Sequence, residues 1–288
     1  MIAKMQPGQA GFSEYKDSLS MEKAAGGILV MKIAASDFDG TLYVEGKGVT
    51  ATDISAIQRW RAAGNKFGLV TGRGLSFILA GIEPYDLPYD FLVCTNGAVV
   101  FDADRRLLSA WRLDHTVLDE LMADPFVEDS HYVLFFRLTD ALIYWRQREL
   151  HPELAAAPLQ EMAMPSAQGV KDITQVSLAF ASRQDAERVA GILQEKFAER
   201  LYVSTNRNYI DIIAAGVDKS VGLRALQARM QWQGLPMLVV GDDTNDLPML
   251  QYFHGYTVKR ARPAIQQQAV RVYDSVGEML DENLSAEA

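Results

Sequence analysis

At 288 residues, with 49% apolar and 23% charged side chains, the chain has the composition of an ordinary soluble globular protein, long enough for two domains or for one core with a large insertion. A formal net charge of -9 argues against a nucleic-acid surface and gives no reason to expect a membrane partner, so an anionic ligand must be held by a local site. The single cysteine, Cys94, excludes a disulfide framework and a thiolate zinc site; it reads as a small core residue and fits a reducing cytoplasm.

Residues 1–30 are polar and glycine-containing with weak periodicity. They are expected to form an N-terminal extension, disordered or loosely attached, with Met31 a candidate natural start. The apolar stretch over 28–35 is too short to span a membrane and is interrupted by Lys32. It leads into Asp37-Phe38-Asp39-Gly40-Thr41, and a short apolar run ending on turn residues reads as a buried strand of a parallel sheet. A helix is predicted over 52–63, with Ile54, Ile57 and the stem of Arg61 facing inward and Gly64 ending it. A strand over 67–70 ends at Thr71-Gly72-Arg73, a short helix covers 74–80, and a third strand over 91–94 ends at Thr95-Asn96-Gly97-Ala98. Strand and helix in alternation are the rhythm of a parallel α/β sheet.

The rhythm then changes. A helix over 114–122, β-like runs over 131–138, 141–145 and 175–181, a helix over 184–197, and strands over 201–204 and 209–213 read as an α+β unit with an antiparallel sheet. The α/β pattern resumes after Gly216. Asp218 caps a helix starting at Lys219, with Val221, Ala225, Leu226 and Met230 along one face, and a strand over 237–240 ends at Gly241-Asp242-Asp243-Thr244-Asn245-Asp246. The fold expected is α/β: a doubly wound, mostly parallel, Rossmann-like core over 31–103 and 214–288, with an α+β cap inserted over 104–213.

Asp37 and Asp39 stand at a predicted strand end, where reactive groups of such sheets gather. Two carboxylates this close repel each other, and a hard cation such as magnesium relieves the repulsion while keeping water and substrate phosphate in its shell. A carboxylate can also attack phosphorus to give an aspartyl-phosphate. The same residues read as well as an acidic turn capping the next helix. Three further clusters align with the first. Thr71 offers a hydroxyl beside the Gly72 amide, Lys219 brings an ammonium to a helix start, and Asp242 and Asp246 supply hard oxygen ligands.

This ordered set resembles the haloacid dehalogenase superfamily of phosphohydrolases. Asp37-Phe38-Asp39-Gly40-Thr41 is similar to its first motif, Thr71 to its second, Lys219 to its third, and Gly241-Asp242 through Asp246 to its fourth. The large insertion resembles the C2 type of cap, and Thr71-Gly72-Arg73, Asn96-Gly97-Ala98 and Gly216-Val217-Asp218-Lys219 resemble the Cof-like sugar-phosphatase branch. The resemblance implies Asp37 as nucleophile and Asp39 as general acid and base. It implies magnesium held by Asp37, Asp242 and the Asp39 backbone carbonyl, with Asp246 orienting the ion's waters. Thr71, Gly72, Lys219 and Asn245 would bind the phosphoryl oxygens, and Arg73 is a candidate substrate contact or a surface charge. The partner implied is a small phosphorylated metabolite, with no nucleic acid or membrane involved; substrate and oligomeric state stay open. A phosphotransferase or phosphomutase, or a non-catalytic regulatory protein on the same scaffold, are the alternatives, and the last would be expected to lack Asp37, Asp39 or Asp242.

One stretch departs from the pattern. Where Cof-like chains usually carry a Met-Gly-Asn-Ala loop, this one has Tyr256-Thr257-Val258-Lys259-Arg260-Ala261. Lys259 and Arg260 read as solvated charges at a helix start, with contact to an acidic leaving group as the alternative. His115, His131, His151 and His254 show no metal-pair spacing and are expected to be structural. Tyr144-Trp145-Arg146 reads as sheet packing more readily than as a stacking platform.

Overall fold

Ile33–Ser36 forms β1, and every side chain in it is buried, as a strand covered on both faces requires. In this computed structural model, which describes residues 30–155, 157, 159–163 and 169–285, the expected extension over 1–30 lies outside the described residues apart from Val30. β2 (Lys66–Val70) runs parallel to β1, and β3 (Phe91–Cys94) runs parallel to β2. Helices Ala51–Ala62 and Leu75–Ile82 make the crossovers. Thr50 caps the first, its hydroxyl accepting from the Asp53 amide. Its buried face is Asp53, Ala56, Ile57 and Trp60. Arg61, expected to bury its stem, instead gives its guanidinium to Asp90, because the indole of Trp60 fills the inward position and donates to the Lys66 carbonyl.

β4 (Val99–Asp102) and β5 (Leu107–Ala110) then extend the sheet antiparallel beyond β3. β5 thus belongs to the first sheet although it lies past residue 103, where the change of rhythm suggests the insertion begins. The hairpin escaped the sequence reading because Val99, Val100 and Phe101 are all buried, leaving no alternation between faces.

The insertion builds a second sheet from β6 (Tyr132–Phe136), β7 (Ala141–Trp145), β8 (Gln160–Glu161), β9 (Gln175–Ala179), β10 (Leu201–Asn206) and β11 (Tyr209–Ala214), in the order β10-β11-β9-β6-β7-β8. Its pairings are antiparallel except β7 with β8. Side chains alternate between faces. Val133, Phe135, Val176, Leu178, Ile210 and Ile212 pack with helices His115–Met122 and Arg183–Phe197 in one core. Residues between them, among them Tyr132, Gln175, Ser177, Tyr209 and Asp211, turn the other way.

The chain returns to the first sheet through helix Lys219–Arg229, whose first amides donate to the Asp218 carboxylate. Its buried face is Lys219, Ser220, Gly222, Leu223 and Leu226; of the four residues expected there Leu226 is buried, while Val221, Ala225 and Met230 lie half-buried at its margin. Gly97 sets this phase. At φ +100° it lies so close to the helix start that a Cβ would stand 2.0 Å from the Asp218 carbonyl oxygen, and this approach turns Lys219 inward. β12 (Met237–Gly241), β13 (Tyr256–Val258) and β14 (Val272–Tyr273) complete the order β14-β13-β12-β1-β2-β3-β4-β5, parallel from β14 to β3. The architecture is therefore α/β with a largely parallel core sheet and an inserted α+β unit. No helix among the described residues is long and apolar enough to cross a membrane.

Gly97→Ala is expected to cost roughly 2–3 kcal/mol from backbone strain and overpacking. That lowers Tm by about 4–12 °C. Gly191→Ala is the control, since a Cβ there meets open space on an exposed helix face and should leave Tm unchanged or raise it.

Candidate active site

The carboxyl ends of β1 and β12 lie side by side, which brings residues 37 and 242 together. The Asp37 amide donates to the Val240 carbonyl at 2.9 Å, fixing the turn out of β1 against its neighbour. From the opposite side Lys219, fully buried, donates at 2.6 Å to Asp37 Oδ1 and at 2.6 Å to Asp246 Oδ1. The second Asp246 oxygen accepts from the amides of Asp242 and Asp243 at 2.8 and 3.0 Å, so this carboxylate also shapes the loop after β12. Thr41 Oγ1 donates to Asp242 Oδ1 at 2.6 Å. Gly40, at φ +86°, makes the approach possible, because a Cβ there would stand 2.3 Å from Asp242 Oδ2.

Carboxylate oxygens of Asp37, Asp242 and Asp246 come within 4.8 Å of one another, the one such grouping of potential metal ligands among the described residues. Three carboxylates thus face a single ammonium. Burial, reinforced by Asp246 and Asp242 against Lys219, raises the Asp37 carboxyl well above its ordinary range. Burial and Asp246 push Asp242 up to about 6. Burial alone would lower Lys219, yet the charges of Asp246 and Asp37 outweigh it and its pKa rises. An all-oxygen, electron-rich cluster of this kind fits a hard divalent cation.

Asp39 faces away from this cluster. Arg73 grips it with two parallel bonds, from Nε at 2.7 Å and Nη2 at 2.6 Å, and lies over the Phe38 ring at 5.0 Å. The arginine is thus neither a free surface charge nor an uncommitted substrate contact. Thr71, buried at the end of β2, accepts the Arg73 amide on its hydroxyl at 3.1 Å.

Asn245 and Gly72 join a second network that reaches into the insertion. Asn245 Nδ2 donates to Asn96 Oδ1 at 3.0 Å, and Asn96 Nδ2 donates at 3.0 Å to both Gln175 Oε1 and Asp211 Oδ2. Gln175 Nε2 in turn donates to the Gly72 carbonyl at 3.1 Å, and Ser177 Oγ to Asp211. Burial raises the Asp211 carboxyl although Ser177 and Asn96 hydrogen-bond to it. Between the strand ends and this face of the second sheet lies a cavity of about 440 Å³, with Asp37, Asp39 and Asp242 at one end and Tyr132, Leu154 and Tyr209 at the other.

Sequence reading missed three features of this region. Arg260 is exposed, as a solvated charge would be, yet it also donates from Nε to the Gly40 carbonyl at 2.5 Å and from Nη2 to the Thr41 carbonyl, so it braces the turn that carries Asp39. Its partners are backbone atoms, which leave no mark in a sequence; Lys259 does stay exposed, paired with Asp274. Gln175, Ser177 and Asp211 did leave a signal, as polar residues at alternate positions of otherwise apolar strands. Finally, His131 Nδ1 lies 3.1 Å from His151 Nε2 beside Tyr132, and burial together with His151 lowers the His131 pKa. Trp145 packs edge-on against Tyr132, and Arg146 lies over Tyr144, away from the cavity lining. Cys94 is buried, which pushes its thiol pKa up.

A family model described as haloacid dehalogenase-like hydrolase matches residues 34–278. The chain is 25% identical over 235 residues to the 5-amino-6-(5-phospho-D-ribitylamino)uracil phosphatase YitU of Bacillus subtilis (strain 168), covering 76% of this chain and 83% of that protein. It is 24% identical over 247 residues to YwtE, a phosphatase of the same description from the same organism, covering 77% and 85%. Among solved structures, a haloacid dehalogenase-like hydrolase from B. subtilis superposes with a TM-score of 0.76 at 20% identity, over 87% of this chain and 99% of that one. The HAD subclass IIB sugar phosphatase BT4131 superposes with a TM-score of 0.74 at 17% identity, over 88% and 99%. At these identities the structural likeness shows a shared fold.

Two outcomes are expected from this geometry. Asp242 titrates near 6 in the folded chain against an ordinary 3.8, so the metal-free fold holds its proton more tightly than the unfolded chain does. The resulting stability is present in full below pH 3.8 and is lost as pH rises through about 6. Chelator-treated protein should therefore lose Tm between pH 5 and 7, magnesium should restore it at pH 7.5 far more than at pH 5, and Asp242→Asn should flatten both effects in a thermal-shift assay. Arg260→Met should lower any turnover at this site about tenfold or more, since the turn bearing Asp39 loses its brace; steady-state kinetics would show it as a fall in kcat.

Proposed function

The chain belongs to the haloacid dehalogenase-like hydrolase family, and on that premise we propose that it is a magnesium-dependent phosphatase acting on a small phosphorylated metabolite of the sugar-phosphate kind, through an aspartyl-phosphate at Asp37. The observation that carries this reading is the buried Lys219 bound at 2.6 Å to Asp37, with Asp242 beside them at the mouth of a cavity able to hold a leaving group. The phosphatase descriptions of the B. subtilis relatives and of BT4131 support it. On the same reading the protein works in the cytoplasm, with its one cysteine buried.

In the mechanism, one Asp37 oxygen attacks phosphorus while Lys219 holds Oδ1 of the same carboxylate, fixing the direction of attack. As the ester bond breaks, Asp39 gives a proton to the leaving oxygen; it then takes one from the water that cleaves the aspartyl-phosphate, returning Asp37 and releasing phosphate. Arg73 holds both Asp39 oxygens in this arrangement, so Asp39 must swing free of at least one of these bonds to carry a proton to the leaving oxygen. Thr71 and the Gly72 amide would hold phosphoryl oxygens, and Asn245, whose Nδ2 donates to Asn96, would join them. Asp37, Asp242 and the Asp39 carbonyl would hold magnesium, with Asp246 ordering its waters; the bound cation would supply positive charge against the negative charge on the transferring phosphoryl group.

p-Nitrophenyl phosphate tests the reading directly. Phosphate release should require magnesium, stop with chelator, and fall at least roughly a thousandfold in Asp37→Asn, the loss expected when a covalent nucleophile is removed. Equal rates for wild type and Asp37→Asn would overturn it.

A further inference from the structure

The loop after β2 that carries Thr71 and Gly72 is held mostly by its own sheet. The Thr71 amide donates to the Val93 carbonyl at 2.8 Å, and the Thr71 and Arg73 carbonyls accept from the amides of Asn96 and Thr95 at 2.9 and 3.0 Å. The Gly72 carbonyl is the exception. Its donor is Nε2 of Gln175, a buried residue of β9 in the insertion, at 3.1 Å. That carbonyl shares one peptide plane with the Arg73 amide, which donates to Thr71 Oγ1 at 3.1 Å. Gln175 thus reaches the threonine hydroxyl through a single rigid unit. A hydroxyl oxygen that accepts on this side keeps its hydrogen for an acceptor such as a phosphoryl oxygen.

The direction of the chain is fixed at its far end. Asp211 meets three donors, Asn96 Nδ2 at 3.0 Å, Gln175 Nε2 at 3.2 Å and Ser177 Oγ, as suits an ionised carboxylate, which only accepts. Asn96 must therefore turn its nitrogen toward the insertion, where it also donates to Gln175 Oε1 at 3.0 Å. With that oxygen engaged, Gln175 has its nitrogen left for Gly72. The turn bearing Asn96 is itself strained: Thr95, Asn96 and Gly97 stand at φ +48°, +52° and +100°, in a region that a β-branched threonine disfavours. Such strain persists where the surroundings over-determine the backbone, and it gathers at functional sites.

Resting on the phosphatase reading above, we propose that Gln175 is a positioning residue for phosphoryl transfer, setting the Thr71 hydroxyl through the Gly72–Arg73 peptide. The insertion then completes the phosphate site itself, whatever the leaving group. Two consequences separate this role from contact with a leaving group. Gln175 acts equally on all esters, and it acts only while Thr71 keeps its hydroxyl.

The test uses magnesium-loaded full-length protein, with p-nitrophenyl phosphate and glucose 6-phosphate as esters and inorganic phosphate as competitive inhibitor. Gln175→Met removes the donor at similar size. Gln175→Glu keeps the shape and the oxygen facing Asn96 but sets a second oxygen against the Gly72 carbonyl, and it decides the matter where Gln175→Met does not fold. Either change should lower kcat/KM about tenfold or more on both esters, by factors agreeing within about threefold. Each should also raise the inhibition constant of phosphate about threefold or more. In a Thr71→Val background the same change should cost less than about threefold further, because the residue acts through the missing hydroxyl. Asn96 keeps Asp211 as its acceptor in these variants, so its bond from Asn245 has no reason to shift. Wild-type kinetics, a loss confined to one ester, or a loss that multiplies in full with Thr71→Val would overturn the proposal, while Asp37-dependent release from p-nitrophenyl phosphate left the phosphatase reading standing. Absence of Asp37-dependent release from either ester would overturn both.

Discussion

The site is organised by one buried cation. Lys219 has no exposed surface, and its ammonium holds Asp37 and Asp246 at 2.6 Å each. Taking charges out of water costs several kcal/mol per ion, and only close pairing offsets it. Here the offset is incomplete, since Asp242 adds a third carboxylate to the group. The fold therefore tolerates local electrostatic strain at the end of its central strands, which a bound divalent cation would relieve. Stability has been spent where chemistry needs charge.

The backbone around Lys219 follows from that requirement. A lysine enters a sheet's interior only if its helix comes unusually close, and Gly97 and Gly222 leave room for the approach. Asp37 and Asp242 meet only if nothing intrudes between their turns, and Gly40 is bare for that reason. The opposite arrangement holds further out. Arg260 and Arg73 are long side chains that fill space around the Asp39 turn, one binding its carbonyls and the other its carboxylate. Absent side chains let charged groups converge, and long ones hold them in place.

This division also explains what was legible in the sequence. Asp37, Asp39, Lys219 and Asp242 each follow a strand or open a helix, so local pattern places them and the parallel order of the strands brings them together. The alternation of strand and helix gave the core sheet, and its interruption the insertion. Features set by tertiary register stayed hidden. Arg260 acts on carbonyls, the phase of helix Lys219–Arg229 depends on contact with Gly97, and β4 is buried too uniformly to show a period. Gln175, Ser177 and Asp211 were visible as polar interruptions, but their common face emerges only once β9 and β11 are paired.

The contacts between the inserted sheet and the core are mostly polar. Gln175 meets the Gly72 carbonyl, Asn96 meets Asp211, Thr244 meets the Thr205 carbonyl, and Arg207 meets Glu45. Apolar packing joins the two at the crossings, in the small cluster of Ala98, Ile213 and Val217 with Trp111 and Tyr202 against it, and at the cavity, where Phe77 packs edge-on against Phe136 with ring centroids 5.3 Å apart. The two kinds of contact differ in what separation costs. A hydrogen bond replaced by bonds to water loses only about 0.5–1.5 kcal/mol net. Exposed apolar surface costs roughly 25 cal/mol per Å², with nothing in water to replace it. Separating the two around the cavity would therefore break mainly inexpensive hydrogen bonds, with the Phe77–Phe136 contact as the apolar exception, while the crossings would stay packed. An enzyme that must exclude water during phosphoryl transfer and then release phosphate needs that combination.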